Sequence, residues 1–348
     1  MLEEITMNPN SPDSNINNPK QEPLPHYSTT HRYGVMLLNI GGPQSEAEIH
    51  DYLYRLFSDP FIVPLPGFFR RRFARIATRL RQKKTAARYA AIGGKSPLND
   101  ETAVQAKKLE EVLQFPVVFA MRYTEPFVYS AQRDLEDRHV NRLIVLPLYP
   151  QYCNATTMSA LEDFLEHRGN EITYRFIEQH FNFAGYTDTM SHLLSETLRK
   201  LDDNLVTRVL FVAHSIPMRL VRDGDPYVEQ IKSTVAAITQ QKSIPYSYSL
   251  AFQSSLGPIK WQGPTLNQVL QQFRQEQVEQ VVVHPLSFVA ENLETLYDLD
   301  IQFKELCLNA GIKKYFRVPA PSSHPMYINA LATLVKEEID NWEVHHVQ

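Results

Sequence analysis

Cysteine is almost missing from this chain. Only Cys153 and Cys307 occur in 348 residues, which excludes a disulfide framework and a cysteine-ligated cluster and fits a reducing compartment. No HExxH, EF-hand loop, GxSxG or Walker sequence is present, so the commonest hydrolase and nucleotide readings fall away. Long apolar runs are also lacking. Leu143–Leu161 carries no charge, but Pro147, Pro150, Gln151 and Asn154 break it before it can span a bilayer. A net charge of −4 argues against a surface built to neutralise phosphate backbones, so nucleic acid is not an expected partner. Residues 1–30 hold repeated Asn, Pro and Ser with few large apolar side chains, and are expected to form a disordered arm. That arm shows neither a basic start nor an apolar h-region, so no secretory or transit signal is read in it and a cytoplasmic location is expected.

What is present is an ordinary globular composition, 43% hydrophobic and 21% charged, in a chain longer than one core usually organises. Short apolar runs alternate with stretches of helical spacing. The strands expected are Gly34–Ile40, Pro116–Met121, Arg142–Leu148, Ile172–Phe176, Arg208–Ala213, Ser247–Phe252 and Val278–Val283. Between them, Ala103–Leu113, Tyr186–Leu201, Tyr227–Thr239 and Leu266–Phe273 read as helices, and Met326 to Trp342 as a final amphipathic helix whose partner half is open. Strands that are apolar throughout are expected where helices cover both sheet faces, so the fold class is α/β with two doubly wound parallel sheets. LIVLPLYP at 143–150 echoes VVVHPLSF at 281–288, which supports a first domain over 31–170 and a second, with the C-terminal helix, over 171–348.

One segment has an unusual charge pattern. From Pro60 to Asn99 there is no acid, while Arg70, Arg71, Arg72, Arg75, Arg79, Arg81, Lys83, Lys84, Arg88 and Lys95 are all cationic. Phe69, Phe73, Ile76 and Leu80 recur at helical spacing through it, after the uncharged FIVPLPGFF. An apolar stripe flanked by cations suits the surface of an anionic bilayer. A solvated helix whose stripe packs on its own domain, or capture of an anionic apolar ligand, accounts for the pattern equally well.

In open α/β sheets ligands bind beyond the carboxyl ends of the strands. The first strand ends at Asn39-Ile40-Gly41-Gly42-Pro43, without GxGxxG spacing, so a dinucleotide is not indicated. Met121-Arg122-Tyr123 and Tyr149-Pro150-Gln151-Tyr152 place a guanidinium and amphipathic rings on the same rim, which suits a flat aromatic ligand bearing carboxylates. The fifth strand delivers His214, a group able to accept a proton or ligate a metal near working pH. In Ala290–Asp300, Glu294 and Asp298 share a helical face with Glu291 a turn earlier, so carboxylate oxygens line a path for a divalent ion; favourable charge at a helix start explains the same acids.

LLNIGGP, RLFSDPFIVPLP, IGGKSPL, AMRYTEP, LPLYPQY, VAHSIPMRLVRDGDPY, FQSSLGPIKWQGP and LETLYDLDI occur in this order between Tyr33 and Val335. Together these stretches resemble the ferrochelatases, which insert ferrous iron into a porphyrin to make heme. The resemblance implies two chelatase-type domains around a porphyrin cleft, with Fe2+ and protoporphyrin IX as substrates. His214 and Glu294 match the family's central polar pair, which serves in catalysis and toward the metal. Ile40, Ser96, Arg122, Tyr123 and Tyr149 match positions that contact the macrocycle, its propionates or the metal path. The segment Phe61–Phe73 matches a lip that touches the membrane, which implies peripheral contact at the inner face of the cell membrane.

The chemistry calls for such groups, because two pyrrole protons must leave and a saddled ring must expose its nitrogens. Glu291-Asn292 stands where the family commonly has Asp-His, and Gln302 where some members carry an acid, which puts an outer acid-lined metal site in doubt. The C-terminal cysteine set of cluster-binding members is missing, so no iron–sulfur cluster and no cofactor beyond the Fe2+ substrate is expected. A chelatase for coproporphyrin, another tetrapyrrole or another metal, and a tetrapyrrole carrier without turnover, stay open as alternatives.

Overall fold

The computed structural model describes residues 31–346 except 170–171, 242–243, 255–256 and 258. The expected disordered arm, residues 1–30, lies outside the described residues. Among the described residues, eight strands form two four-stranded parallel sheets. The first contains β1 (Tyr33–Asn39), β2 (Val117–Met121), β3 (Arg142–Pro147) and β4 (Thr173–Phe176) in the order β2-β1-β3-β4. The second contains β5 (Thr207–His214), β6 (Tyr248–Gln253), β7 (Gln280–Pro285) and β8 (Lys314–Arg317) in the order β6-β5-β7-β8. β1, β3 and β7 are buried along their whole length, as apolar strands covered on both faces must be. Seven strands fall where apolar runs predict them. β8 does not, because KYFR is short, half polar and flanked by Lys313.

The halves repeat in register. Leu38 pairs with Pro147 in the first sheet and Val212 with Pro285 in the second. Leu148 N–H then donates to Leu38 and Leu286 N–H to Val212, each at 2.8 Å. The two proline-broken runs that echo each other in the sequence are therefore β3 and β7, in equivalent places.

Helices cover both sheets. The first half carries α1 (Ile49–Ser58), α2 (Gly67–Ala90), α3 (Leu98–Leu113), α4 (Val128–Asp137) and α5 (Ser159–His167). After these come α6 (Ala184–Leu198), α7 (Met218–Arg222), α8 (Tyr227–Gln241), α9 (Leu266–Gln275), α10 (Lys304–Asn309) and α11 (Pro325–His346). Thr265 and Gln268 form a capping box that starts α9. The polar stretch before α10, Glu294–Phe303, is a π-helix and not the α-helix that its spacing suggests.

Two features shift the expected division at residue 170. β4 begins at Thr173 and pairs with β3, so the first sheet runs past that point. The C-terminal helix α11, grouped with the second domain on sequence, docks on the first. Arg142 of β3 bonds Glu343 at 3.0 Å, Arg175 of β4 bonds Glu338 at 3.1 Å, and the Trp342 ring lies edge-on to Tyr33. α11 packs on α6 as well, with Gly185 against Ala330 and Tyr186 6.5 Å from Tyr327, while Tyr186 O–H donates to Leu286 O at 2.9 Å in the second half.

Helix α2 settles one question that its sequence leaves open. It buries Ala74, Thr78 and Tyr89, while Phe69, Phe73, Ile76 and Leu80 are 60%, 41%, 52% and 77% exposed. Phe73 meets Phe57 of α1 edge-on at 6.2 Å, and the rest of the stripe faces away from its own domain. No described helix is long and apolar enough to cross a membrane.

Candidate active site

His214 is the last residue of β5, where a strand buried on both sides reaches the rim of the sheet. Its N–H donates to Ser287 Oγ at 2.9 Å, and Ser287 Oγ lies 2.7 Å from the Tyr227 hydroxyl. The imidazole Nδ1 is 3.0 Å from a carboxylate oxygen of Glu294, the first residue of the π-helix. Asn292 anchors that helix start by accepting from the N–H groups of Glu294 at 2.8 Å and Thr295 at 3.2 Å. A carboxylate only accepts, so Nδ1 carries the shared proton and a neutral His214 keeps Nε2 as its acceptor.

The pair is partly buried, with side chains 39% and 26% exposed. The imidazole and the carboxylate, remote along the chain, are in direct contact on one rim.

Burial pushes the His214 imidazolium down, but the Glu294 and Asp298 carboxylates outweigh it and hold its pKa above the ordinary 6.5. Burial pushes the Glu294 carboxyl up, and His214, Arg88 and Ser254 outweigh that, leaving it below the usual range. The pair is therefore biased toward imidazolium and carboxylate, a form suited to releasing or accepting one proton at a time.

From the first half, Tyr52 comes within electrostatic reach of Glu294. Ile40 comes after β1 in the position that His214 occupies on β5, since each lies two residues beyond the strand partner of the proline. The Tyr52 ring of α1 meets Tyr123 edge-on at 6.3 Å, and burial, with the Glu294 charge as a second cause, keeps its phenol protonated. Tyr149 is half-buried, and burial keeps its phenol neutral as well. Gly42 permits close approach here, because a Cβ would meet Ser96 Oγ at 2.4 Å.

A family model for ferrochelatase matches residues 32–339. The chain belongs to the ferrochelatase family. It is 39% identical to the ferrochelatase of Aquifex aeolicus over 88% of this chain and 99% of that one. It is 35% identical to the ferrochelatase of Synechocystis over 89% and 83%. Among solved structures, SirB from Bacillus subtilis with Fe3+ shares the fold, with a TM-score of 0.56 at 13% identity over 90% of this chain and 97% of that one.

Not every residue matched to the ferrochelatases is free to meet a ligand. Arg122 spends its guanidinium on Asp59 at 3.0 Å, Asp163 at 3.1 Å and Ser159 Oγ at 2.9 Å. Tyr123 is buried and donates to the same Asp59 at 2.8 Å. Arg122, Asp59 and Asp163 also line a cavity of about 360 Å³ with Arg55, Phe127 and His167, which neither His214 nor Glu294 reaches. Ser96 is buried, and its hydroxyl accepts from Leu98 N–H at 3.3 Å.

Glu291 does not join the carboxylate face. It accepts from Arg317 and from Ala320 N–H, each at 3.0 Å, and from Thr295 Oγ1 at 2.6 Å. Arg317 also clamps Asp300 at 2.7 and 2.8 Å. Glu291 turns away because it precedes the π-helix instead of lying on it, so the acids beside His214 reduce to Glu294 and Asp298. Among the described residues, no group of three or more His, Cys, Asp or Glu side chains is placed to cage a metal ion.

Sequence reasoning missed Tyr52, Ser254 and the role of Arg88. Ser254 donates to Glu294 at 3.3 Å, and Arg88 forms an ion pair with Asp298. Ser254 had a findable signal, because it comes after β6 as Tyr123 comes after β2. Arg88 had none, being one cation among ten.

Proposed function

We propose that this member of the iron–porphyrin chelatase family inserts Fe2+ into protoporphyrin IX to form protoheme, with His214 and Glu294 as its metallation pair. The observation that carries this reading is the 3.0 Å contact between an imidazole and a carboxylate at the open rim of the second sheet. Insertion replaces two pyrrole N–H bonds with bonds to iron and releases two protons. His214 Nε2 takes one pyrrole proton while Glu294 compensates the imidazolium charge, accepts the Nδ1 proton and passes it to solvent; the second pyrrole proton follows the same route once the imidazole has returned to its Nδ1–H form. Once the shared proton has left, Nδ1 and the Glu294 oxygen offer one nitrogen and one oxygen donor to Fe2+, few enough to release it. The macrocycle lies against Ile40 and Tyr149 of the first half. No resident cofactor is needed, because the metal is a substrate and the reaction transfers no electrons.

The exposed stripe of α2, flanked by cations, is assigned to peripheral contact with an anionic membrane, from which an apolar porphyrin enters. Leu65, Phe68 and Phe69 at its start are 41%, 71% and 60% exposed, which supports a lip of this kind. Reversing the charge of Arg70, Arg71 and Arg72 weakens binding to anionic vesicles by about 1 kcal/mol per residue. Unchanged sedimentation with vesicles would remove this part of the reading.

The function is tested by giving the purified protein Fe2+ and protoporphyrin without oxygen and monitoring the heme absorbance. Faster metallation of coproporphyrin in a direct competition would reassign the substrate. Tight porphyrin binding with no turnover would make the protein a carrier.

A further inference from the structure

Helix α2 carries nine of the ten cations in the acid-free segment, and most of them face solvent. Arg88, near its C-terminal end, instead turns toward the metallation pair. Its guanidinium forms an ion pair with Asp298 and lies 5.2 Å from the centre of the Tyr297 ring. The Arg88 and Asp298 side chains are 26% and 14% exposed, so the pair is less screened than a surface salt bridge. Asp298 stands four residues beyond Glu294 on the π-helix, and its charge acts on both Glu294 and His214. A second carboxylate beside an imidazole and a carboxylate would make a three-donor site that holds a divalent ion, whereas two donors let it pass.

We propose that Arg88 is a positioning residue: its ion pair withholds Asp298 from His214 and Glu294, so that a divalent cation meets two protein donors and is handed on. The inference rests on the reading of His214 and Glu294 as the metallation pair. It explains why one arginine of a basic helix is directed inward, and why a π-helix with two acids on one face forms no cage. The electrostatics agree, since Arg88 helps to hold the Glu294 carboxyl ionised while holding Asp298 through one carboxylate oxygen, Oδ1.

The test uses the porphyrin-free full chain and Co2+, read by equilibrium dialysis and by visible absorption of the bound ion. Arg88→Gln should bind Co2+ about tenfold more tightly than the wild type, with a shifted absorption band from the added donor. Arg88→Lys, which keeps the charge, and the double variant Arg88→Gln with Asp298→Asn should both return to the wild-type affinity. The double variant also separates a masked donor from lost packing, because it lacks Arg88 as well. Wild-type affinity in Arg88→Gln, or a double variant as tight as Arg88→Gln, would overturn the proposal. The underlying reading fails in a different experiment: iron insertion that survives His214→Ala removes the metallation pair and says nothing about Co2+ at Asp298.

Discussion

Ile40 and His214 stand at the same place in two copies of one scaffold, and they could hardly be less alike. Strand order, register and the proline that breaks β3 and β7 are shared between the halves. The side chains at the rim of the central strand differ: an apolar group after β1, and an imidazole bonded to a carboxylate at the end of β5. The neighbouring strands diverge similarly, with Tyr123 after β2 bonded to Asp59 and Ser254 after β6 bonded to Glu294. A doubled sheet thus supplies two rims, and the side chains decide which rim does chemistry. In the proposed function, one wall receives a flat apolar ring and the other moves protons and metal.

The largest effect should come from erasing the polar rim. His214→Ala should lower kcat for iron insertion by about 10³-fold while porphyrin binding stays measurable, as stopped-flow metallation and fluorescence quenching would show. Near-normal turnover would mean that the base lies elsewhere, and the asymmetry between the rims would lose its functional content.

Removing the carboxylate separates the two members of the polar pair. Glu294→Gln should cost about 10²-fold in kcat and reverse the sign of the shift at His214. In the wild type the carboxylates stabilise imidazolium, so the pKa sits above 6.5 and the neutral base accumulates only as the pH rises past it. Without Glu294, burial dominates and the pKa falls, so the acidic limb of the rate profile moves to lower pH. NMR titration of the imidazole in metal-free protein measures the same change, and an unmoved or higher pKa in the variant would contradict it.

The smallest effect is expected on the apolar rim. Ile40→Ala should lower kcat/KM only about fivefold, equivalent to about 1 kcal/mol of lost apolar contact, with the pH profile unchanged. A loss as large as that of His214→Ala would show that the first rim contributes more than a surface for the ring.

Much of the fold is legible along the chain. Mostly apolar runs announce seven of the eight described strands, and the echo of 143–150 at 281–288 reveals the repeat, because the central parallel strands, covered on both faces, leave little room for polar residues. β8 escapes because KYFR holds two cations in four residues and follows Lys313, which leaves too little apolar pattern. His214 and Glu294 are legible as candidates, one at a strand end and one in an acidic stretch. Their contact is not, since it depends on β5 and the π-helix meeting at one rim. Glu291 shows the converse: spacing groups it with Glu294, and Arg317, 26 residues further on, draws it away.

The sequence alone determined the α/β class, the family and the residue types available at each strand end, because these depend on local pattern and on ordered motifs. Tertiary structure alone decided that the terminal helix covers the first sheet and that the α2 stripe faces outward. It also decided that Arg122 is consumed by two aspartates and that Arg88 reaches Asp298. Each of these is a competition between partners distant in the chain, and charge and apolar surface carry no address until folding brings the competitors within a few ångströms of one another.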